Sequence, residues 1–264
     1  RVMVAVRMRS AWLEKGKPGI VPRAQSPASQ NRKDIQMDTA QQSMAPPMVS
    51  AQALRFGQPG LLLWDGASHD WPVGLCLVRG GEGCGKTSLL QMLAGQLPLQ
   101  AGRLVYPQQP DPSQRPALFW RDPRAELSNA ERARPAQEWV QAQRQLHPAW
   151  SEAAWQAHAD GLGLEPHLHK PLLALSTGSL RKLWMAAGWS SGVPLLLIDE
   201  PLAALDRGSM DHVQRTLAGL NRAGQQSAPV AGPGPRCVIV AHWDEMQGVA
   251  WDDVLDLPDQ PPLR

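Results

Sequence analysis

Cysteine is scarce. Cys76, Cys84 and Cys237 are the only three in 264 residues, and no two share a C-x-x-C spacing. This argues against a disulfide framework and a zinc site, and it fits a reducing compartment. Long apolar runs are missing too: none approaches the ~20 residues that span a bilayer. Val2-Met3-Val4-Ala5-Val6 is broken by Arg7 and is too short for the core of a signal peptide. Any membrane connection is therefore expected through a partner. No internal repeat is found. The net charge of +2 hides an asymmetry, because residues 1–47 hold eight Lys/Arg against three acids, a net of +5. The remainder carries −3, so a nucleic-acid-binding role gains no support from charge.

What is present suits a folded α/β domain. At 43% hydrophobic and 19% charged, the composition is that of an ordinary soluble globule, and the length suffices for a proper core. Residues 1–47 read as a tail, rich in Pro, Ser, Gln and basic residues and closing on Ala45-Pro46-Pro47. The sequence begins at Arg1, which a cropped chain or an upstream-misassigned start would explain, with Met44 or Met48 as alternative starts. Residues 48–264 form the expected domain. Strands are expected at 51–56 and 61–64 around a Gly57-Gln58-Pro59-Gly60 turn, and at 74–78, 103–106, 117–120, 195–198 and 237–240. Residues 124–170, with spaced Trp139, Trp150 and Trp155, suggest several amphipathic helices, and further helices are expected at 181–187 and 206–223. Strands alternating with helices imply a mostly parallel sheet, interrupted by a helical block over about 121–190.

The run Gly80-Gly81-Glu82-Gly83-Cys84-Gly85-Lys86-Thr87 fits the G-x-x-x-x-G-K-[ST] phosphate-binding loop. It lies between a short apolar strand and a helix beginning near Ser88, the context that makes the motif mechanical. Glycines let successive N–H groups turn toward phosphates, and the helix N-terminus adds positive potential. Lys86 is expected to reach the β- and γ-phosphates, and the Thr87 hydroxyl to sit on Mg²⁺. A glycine-rich turn with a chance lysine is the blander alternative, and the strand–helix context argues against it. Asp199-Glu200 ends the 195–198 strand, where parallel sheets bind ligands. Asp199 suits Mg²⁺ and Glu200 suits a general base; an acidic turn before Pro201 is the plain alternative.

Leu175-Ser176-Thr177-Gly178-Ser179 resembles the signature loop of ABC-type ATPases, usually Leu-Ser-Gly-Gly-Gln. Ser176 precedes Asp199 by 23 residues, similar to the family's spacing. Ala203-Ala204-Leu205-Asp206 resembles the D-loop, and His242 resembles the switch histidine. Phe56, 30 residues before Lys86, stands where the family places an aromatic ring on adenine. The resemblance runs in order from about residue 50 to the C-terminus. It implies a P-loop NTPase core with an antiparallel β subdomain and an inserted helical signature subdomain.

The resemblance also implies a mechanism. Two subunits dimerise head to tail, and each ATP lies between one phosphate loop and the partner's signature loop. Ser176 and Gly178 would contact the γ-phosphate of the opposite site, with Asp206 at the same junction. His242 would hold the attacking water and Glu200 in register. The implied nucleotide set is Phe56, Gly80, Gly81, Glu82, Gly83, Cys84, Gly85, Lys86, Thr87, Ser88, Ser176, Gly178 and Asp206. By the same resemblance Glu200, His242 and Lys86 would be the catalytic residues, and Thr87, Asp199 and Asp122 would hold Mg²⁺. Partners would be a second nucleotide-binding subunit, identical or different, and separate transmembrane permeases. The subunit would sit on the cytoplasmic face of the membrane through those permeases.

Some positions depart from the pattern. Thr177 and Ser179 replace a glycine and a glutamine, and the β-branch of Thr177 narrows the backbone choices. Ala203 stands for the usual serine. Trp120-Arg121-Asp122-Pro123 holds no Q-loop glutamine, and Asp122 stands in register with it, bringing a carboxylate near the phosphates. His167-x-His169 invites a metal, but without cysteine or spaced carboxylates His147, His158, His167 and His169 read better as solvated surface. For Trp139, Trp150, Trp155, Trp184 and Trp189, helix packing or contact with a membrane subunit outranks ligand stacking. The compact layout is most similar to the short ATPase subunits of haem-exporter (cytochrome c biogenesis) systems. A non-transport ABC-type ATPase acting in regulation or assembly, and a scaffold that barely hydrolyses ATP, stay open.

Overall fold

The computed structural model describes residues 45–58, 61–221 and 236–258. The expected tail lies outside them up to residue 44, as do Pro59 and Gly60 of the expected turn and residues 222–223 of the expected helix. An antiparallel pair comes first, β1 (Val49–Gln58) with β2 (Leu61–Trp71), the second running well past the expected 61–64. β3 (Gly74–Arg79) leads through the glycine loop into α1 (Lys86–Leu93). β4 (Ala101–Val105) returns to pair with β1, giving a three-stranded antiparallel sheet in the order β2-β1-β4.

After β5 (Leu118–Phe119) comes the helical block: α2 (Asn129–Arg132), α3 (Ala136–Leu146), α4 (Glu152–Gly161) and α5 (Thr177–Ser190). Ser128 and Glu131 start α2 with a reciprocal capping box, which satisfies two N–H groups that the helix leaves open. Trp139, Trp155, Trp184 and Trp189 are buried in the core shared by these helices and the sheet. These indoles therefore serve packing. β6 (Leu195–Asp199), α6 (Arg207–Ala218), β7 (Cys237–His242) and β8 (Asp253–Asp256) follow.

Five strands form a parallel sheet in the order β5-β6-β7-β3-β8. Its three central strands are apolar on both faces, as a sheet covered on both sides must be. Successive residues alternate between two cores. Leu196, Ile198, Val238 and Val240 face α5 and the helical block. Leu195, Leu197, Ile239 and Ala241 face α1 and the antiparallel sheet. On the first face α5 comes so near that a Cβ on Gly188 would lie 2.8 Å from Leu196 Cδ1. β8 is an unexpected edge strand, short and acidic. It is held where Asp252 Oδ2 accepts the Leu75 N–H at 2.8 Å.

Candidate active site

The neighbouring strands β6, β7 and β3 bring three carboxyl ends side by side. They carry Asp199-Glu200, His242 and the glycine loop respectively. A parallel sheet opens its ligand crevice at this edge.

The loop closes around its own lysine. Lys86 Nζ donates to the carbonyls of Gly80 (2.8 Å) and Gly81 (2.9 Å), and lies 3.5 Å from Glu200 Oε1. Gly83 and Gly85 have φ of +76° and +100°, a region where a side chain is strained. Cys84 is 1% exposed beneath the loop, and a Cβ on Gly80 would lie 2.6 Å from its Sγ. Cys84 is thus packing, and its thiol does not line the crevice.

Thr87 Oγ1 donates to Asp199 Oδ2 at 2.7 Å. Asp199 is 5% exposed, and its other oxygen, Oδ1, is buried with no hydrogen-bond partner among the described residues. Burial pushes this carboxyl above its ordinary value, against the Thr87 hydrogen bond and the nearby Arg124 guanidinium. A buried carboxylate oxygen without a donor is costly, and a hard cation would relieve it. A hydroxyl and a carboxylate are the oxygen donors that Mg²⁺ takes, so these residues fit that ion.

Glu200 holds φ at +48°, a left-handed conformation costing about 1–3 kcal/mol that persists only when its surroundings enforce it. Its N–H donates to Ala241 O at 2.9 Å, and its carbonyl accepts from Ala203 N at 3.1 Å. Arg181 Nη1, from α5, donates to the carbonyls of both Asp199 (3.1 Å) and Glu200 (3.0 Å). Burial pulls the Arg181 pKa down, opposed by the charges of Asp199 and Glu200. On the far side, His242 Nε2 lies 3.7 Å from Glu200 Oε2. The main chain and carboxylate of Asp244 hold His242 Nδ1 at 3.1–3.2 Å, and the ring is 3% exposed.

Lys86, Thr87 and Glu200 open onto a cavity of about 770 Å³ that is also lined by Glu82, Gly83, Gly85, Ser88, Arg124, Arg181, Ala203 and Trp243, while Asp199 and His242 are not among its described lining residues. That volume is within the few hundred to about 1,000 Å³ usual for small-molecule sites. Arg124, Arg181 and Trp243 escaped the sequence reading. Arg181 carried one signal: it is a cation near the start of a helix whose first turn has no acid, so it needs acceptors elsewhere.

Other expected residues lie apart from this cavity. Phe56 is 6% exposed and packed in the core, so its ring offers no face to a stacked base. The reason is a bulge. Val49 and Ala51 point inward, Ala53 takes φ +50°, and after the register shift Leu54 and Phe56 become the inward pair. Asp122 spends both oxygens elsewhere, accepting from Gln91 Nε2 and from the Arg124 N–H, each at 2.8 Å. It is therefore not placed as a metal ligand. Asp206 caps α6, accepting from Ser209 N and Oγ and pairing with Lys182 from α5. These bonds hold its carboxyl far below the usual range, the Lys182 contact first among them.

Ser176 is exposed and caps α5, its Oγ accepting from Ser179 N at 3.1 Å. Thr177 occupies the first helical position, where a β-branched residue is readily held. Gly178 is buried, and a Cβ there would lie 2.3 Å from Ala204 O, so its small size serves its own chain's D-loop. His158, expected on the surface, is half-buried, with Nδ1 3.1 Å from His212 Nε2 and its ring against Trp189.

Comparison with known proteins converges on one family. The ABC transporter family matches residues 73–203. The cytochrome c biogenesis ATP-binding export protein CcmA of Pseudomonas savastanoi pv. phaseolicola is 33% identical over 180 residues, covering 66% of this chain and 83% of the relative. The protein of the same name from Tatumella citrea is 28% identical over 198 residues, 75% of this chain and 89% of that one. A solved ATP-binding subunit of an ABC transporter superposes with a TM-score of 0.55 at 16% identity, over 74% of this chain and 79% of that one, a likeness of fold. The fold is that of a P-loop NTPase, and the chain belongs to the ABC transporter family of ATP-binding proteins.

Proposed function

We propose that this chain hydrolyses ATP as one half of a head-to-tail pair of nucleotide-binding subunits, and that the pair drives an ABC exporter like those named among its relatives. The observation that carries the reading is the meeting of Lys86, Thr87, Asp199, Glu200 and His242 at three adjacent strand ends. Catalysis of phosphoryl transfer is mostly positioning and charge stabilisation, and each of these groups has such a task. The loop N–H groups and the start of α1 bind the phosphates. Lys86 exchanges its contacts with the Gly80 and Gly81 carbonyls for phosphate oxygens.

Thr87 and Asp199 would hold Mg²⁺, which when bound neutralises charge building on the phosphate oxygens. Glu200 takes the proton of the attacking water as its oxygen bonds to the γ-phosphorus, and ADP leaves as the bond to its terminal oxygen breaks. His242 orients that carboxylate. Exposed Ser176, at the N-terminus of α5, faces the γ-phosphate of a second copy, where the helix favours an anion.

Among the described residues no helix is long and apolar enough to cross a membrane. The proposal gives that task to separate permease subunits, with this chain at the inner face of the membrane. Hydrolysis by the wild-type chain and by Glu200→Gln tests the assignment. The variant is expected to bind MgATP but turn over on the order of a hundredfold more slowly. Equal rates would remove Glu200 as the base and leave nucleotide binding without the proposed chemistry.

A further inference from the structure

We infer that Arg124 is a γ-phosphate ligand of this site, delivered by a turn that stands where the resemblance leads one to expect a glutamine. The inference rests on the ATP reading above and adds to it a residue with its own charge and geometry. The turn is anchored at two points. Asp122 Oδ2 accepts from Gln91 Nε2 at 2.8 Å, and Gln91 lies on α1, the helix that opens at Lys86. Asp122 Oδ1 accepts the Arg124 N–H at 2.8 Å. One carboxylate thus fixes the backbone of Arg124 relative to the phosphate loop.

Arg124 then lines the crevice with Lys86, Thr87, Arg181 and Glu200. Among the described residues three cations border this space, and two of them are already engaged. Lys86 donates to two loop carbonyls and approaches Glu200. Arg181 donates to the carbonyls of Asp199 and Glu200. The Arg124 guanidinium makes no hydrogen bond or ion pair with any described residue. Its charge acts on both Asp199 and Arg181, which flank Glu200 and so mark the hydrolytic end of the cavity.

A planar guanidinium there can grip a phosphate through two parallel N–H bonds, which an amide cannot do. ATP presents a terminal phosphate at that end and ADP does not. Arg124 is therefore a specificity residue: it makes the site prefer the triphosphate, and it links γ-phosphate to the segment leading into the helical block.

The test measures the affinity of the full chain for a non-hydrolysable ATP analogue and for ADP, both with Mg²⁺, by titration calorimetry. Arg124→Ala is expected to weaken the analogue by about tenfold, the scale of a lost charge-assisted hydrogen bond, and ADP by less than about twofold. Arg124→Lys, which keeps the charge without the fork, should fall between. Arg124 is exposed, so an unchanged melting temperature is the expected control. Unchanged analogue affinity, or an equal loss for both nucleotides, would overturn the assignment while leaving the ATP reading intact. Failure of the wild-type chain to bind either nucleotide would remove both.

Discussion

Arg181 and Glu200 are joined through the main chain: one guanidinium nitrogen donates to the Glu200 carbonyl at 3.0 Å and to that of Asp199 at 3.1 Å. Arg181 belongs to α5, the helix that Ser176 caps. The signature helix therefore braces the backbone of the proposed base.

That brace should appear in kinetics more than in binding. Glu200 holds a left-handed φ of +48°, and relaxing such strain releases about 1–3 kcal/mol. Arg181→Met is expected to lower kcat by about ten- to a hundredfold, with KM for MgATP changed by less than about threefold. A rise in KM at unchanged kcat would make Arg181 a nucleotide-binding residue instead.

Lys86 ties the Gly80 and Gly81 carbonyls to Glu200, and in the proposed site it meets the phosphates. Lys86→Ala should abolish measurable nucleotide binding in a calorimetric titration. Unchanged affinity would defeat the phosphate-loop assignment.

Asp199 presents the opposite trade between stability and function. Its Oδ1 is buried without a partner among the described residues, and burial already disfavours the charge. Asp199→Asn should raise the melting temperature of the nucleotide-free protein, by an amount corresponding to about 1 kcal/mol, while removing the further rise produced by MgATP. A variant less stable without ligand would show that the carboxylate is satisfied by contacts other than a cation.

The histidine pair on α4 and α6 predicts a pH dependence. Burial, then the charges of His212 and Arg236, pull the His158 pKa down to about 4. A folded pKa below the unfolded one means that the unfolded chain binds the proton more tightly. This contribution is therefore complete above about pH 6.5 and is lost as pH falls toward 4, amounting to at most ~3 kcal/mol. Thermal melts of His158→Gln across that interval should lose less stability than wild type. Parallel curves would contradict it.

The phosphate loop and the apolar strands were legible because their information is local. A loop needing left-handed residues at 83 and 85 requires glycine there, and strands covered on both faces need unbroken Leu, Ile and Val. The burial of Phe56 is not legible from its spacing to Lys86, because a bulge at Ala53 exchanges the two faces of β1. Nothing local in the sequence shows that Asp122 accepts from Gln91, which lies 31 residues earlier on α1. Arg181 bonds to backbone carbonyls, which carry no residue identity to read. β8, short and acidic, shows little of the β-branched pattern that marks a strand.

The central claim is that a triphosphate is held between two copies, each presenting Ser176 to the other. Light scattering on the Glu200→Gln chain measures this directly. A mass of 28.8 kDa is expected without nucleotide, doubling with saturating MgATP, and a return to one chain when Ser176→Arg is added. A mass that stays at one chain with ATP bound, or a dimer indifferent to Ser176→Arg, would contradict it.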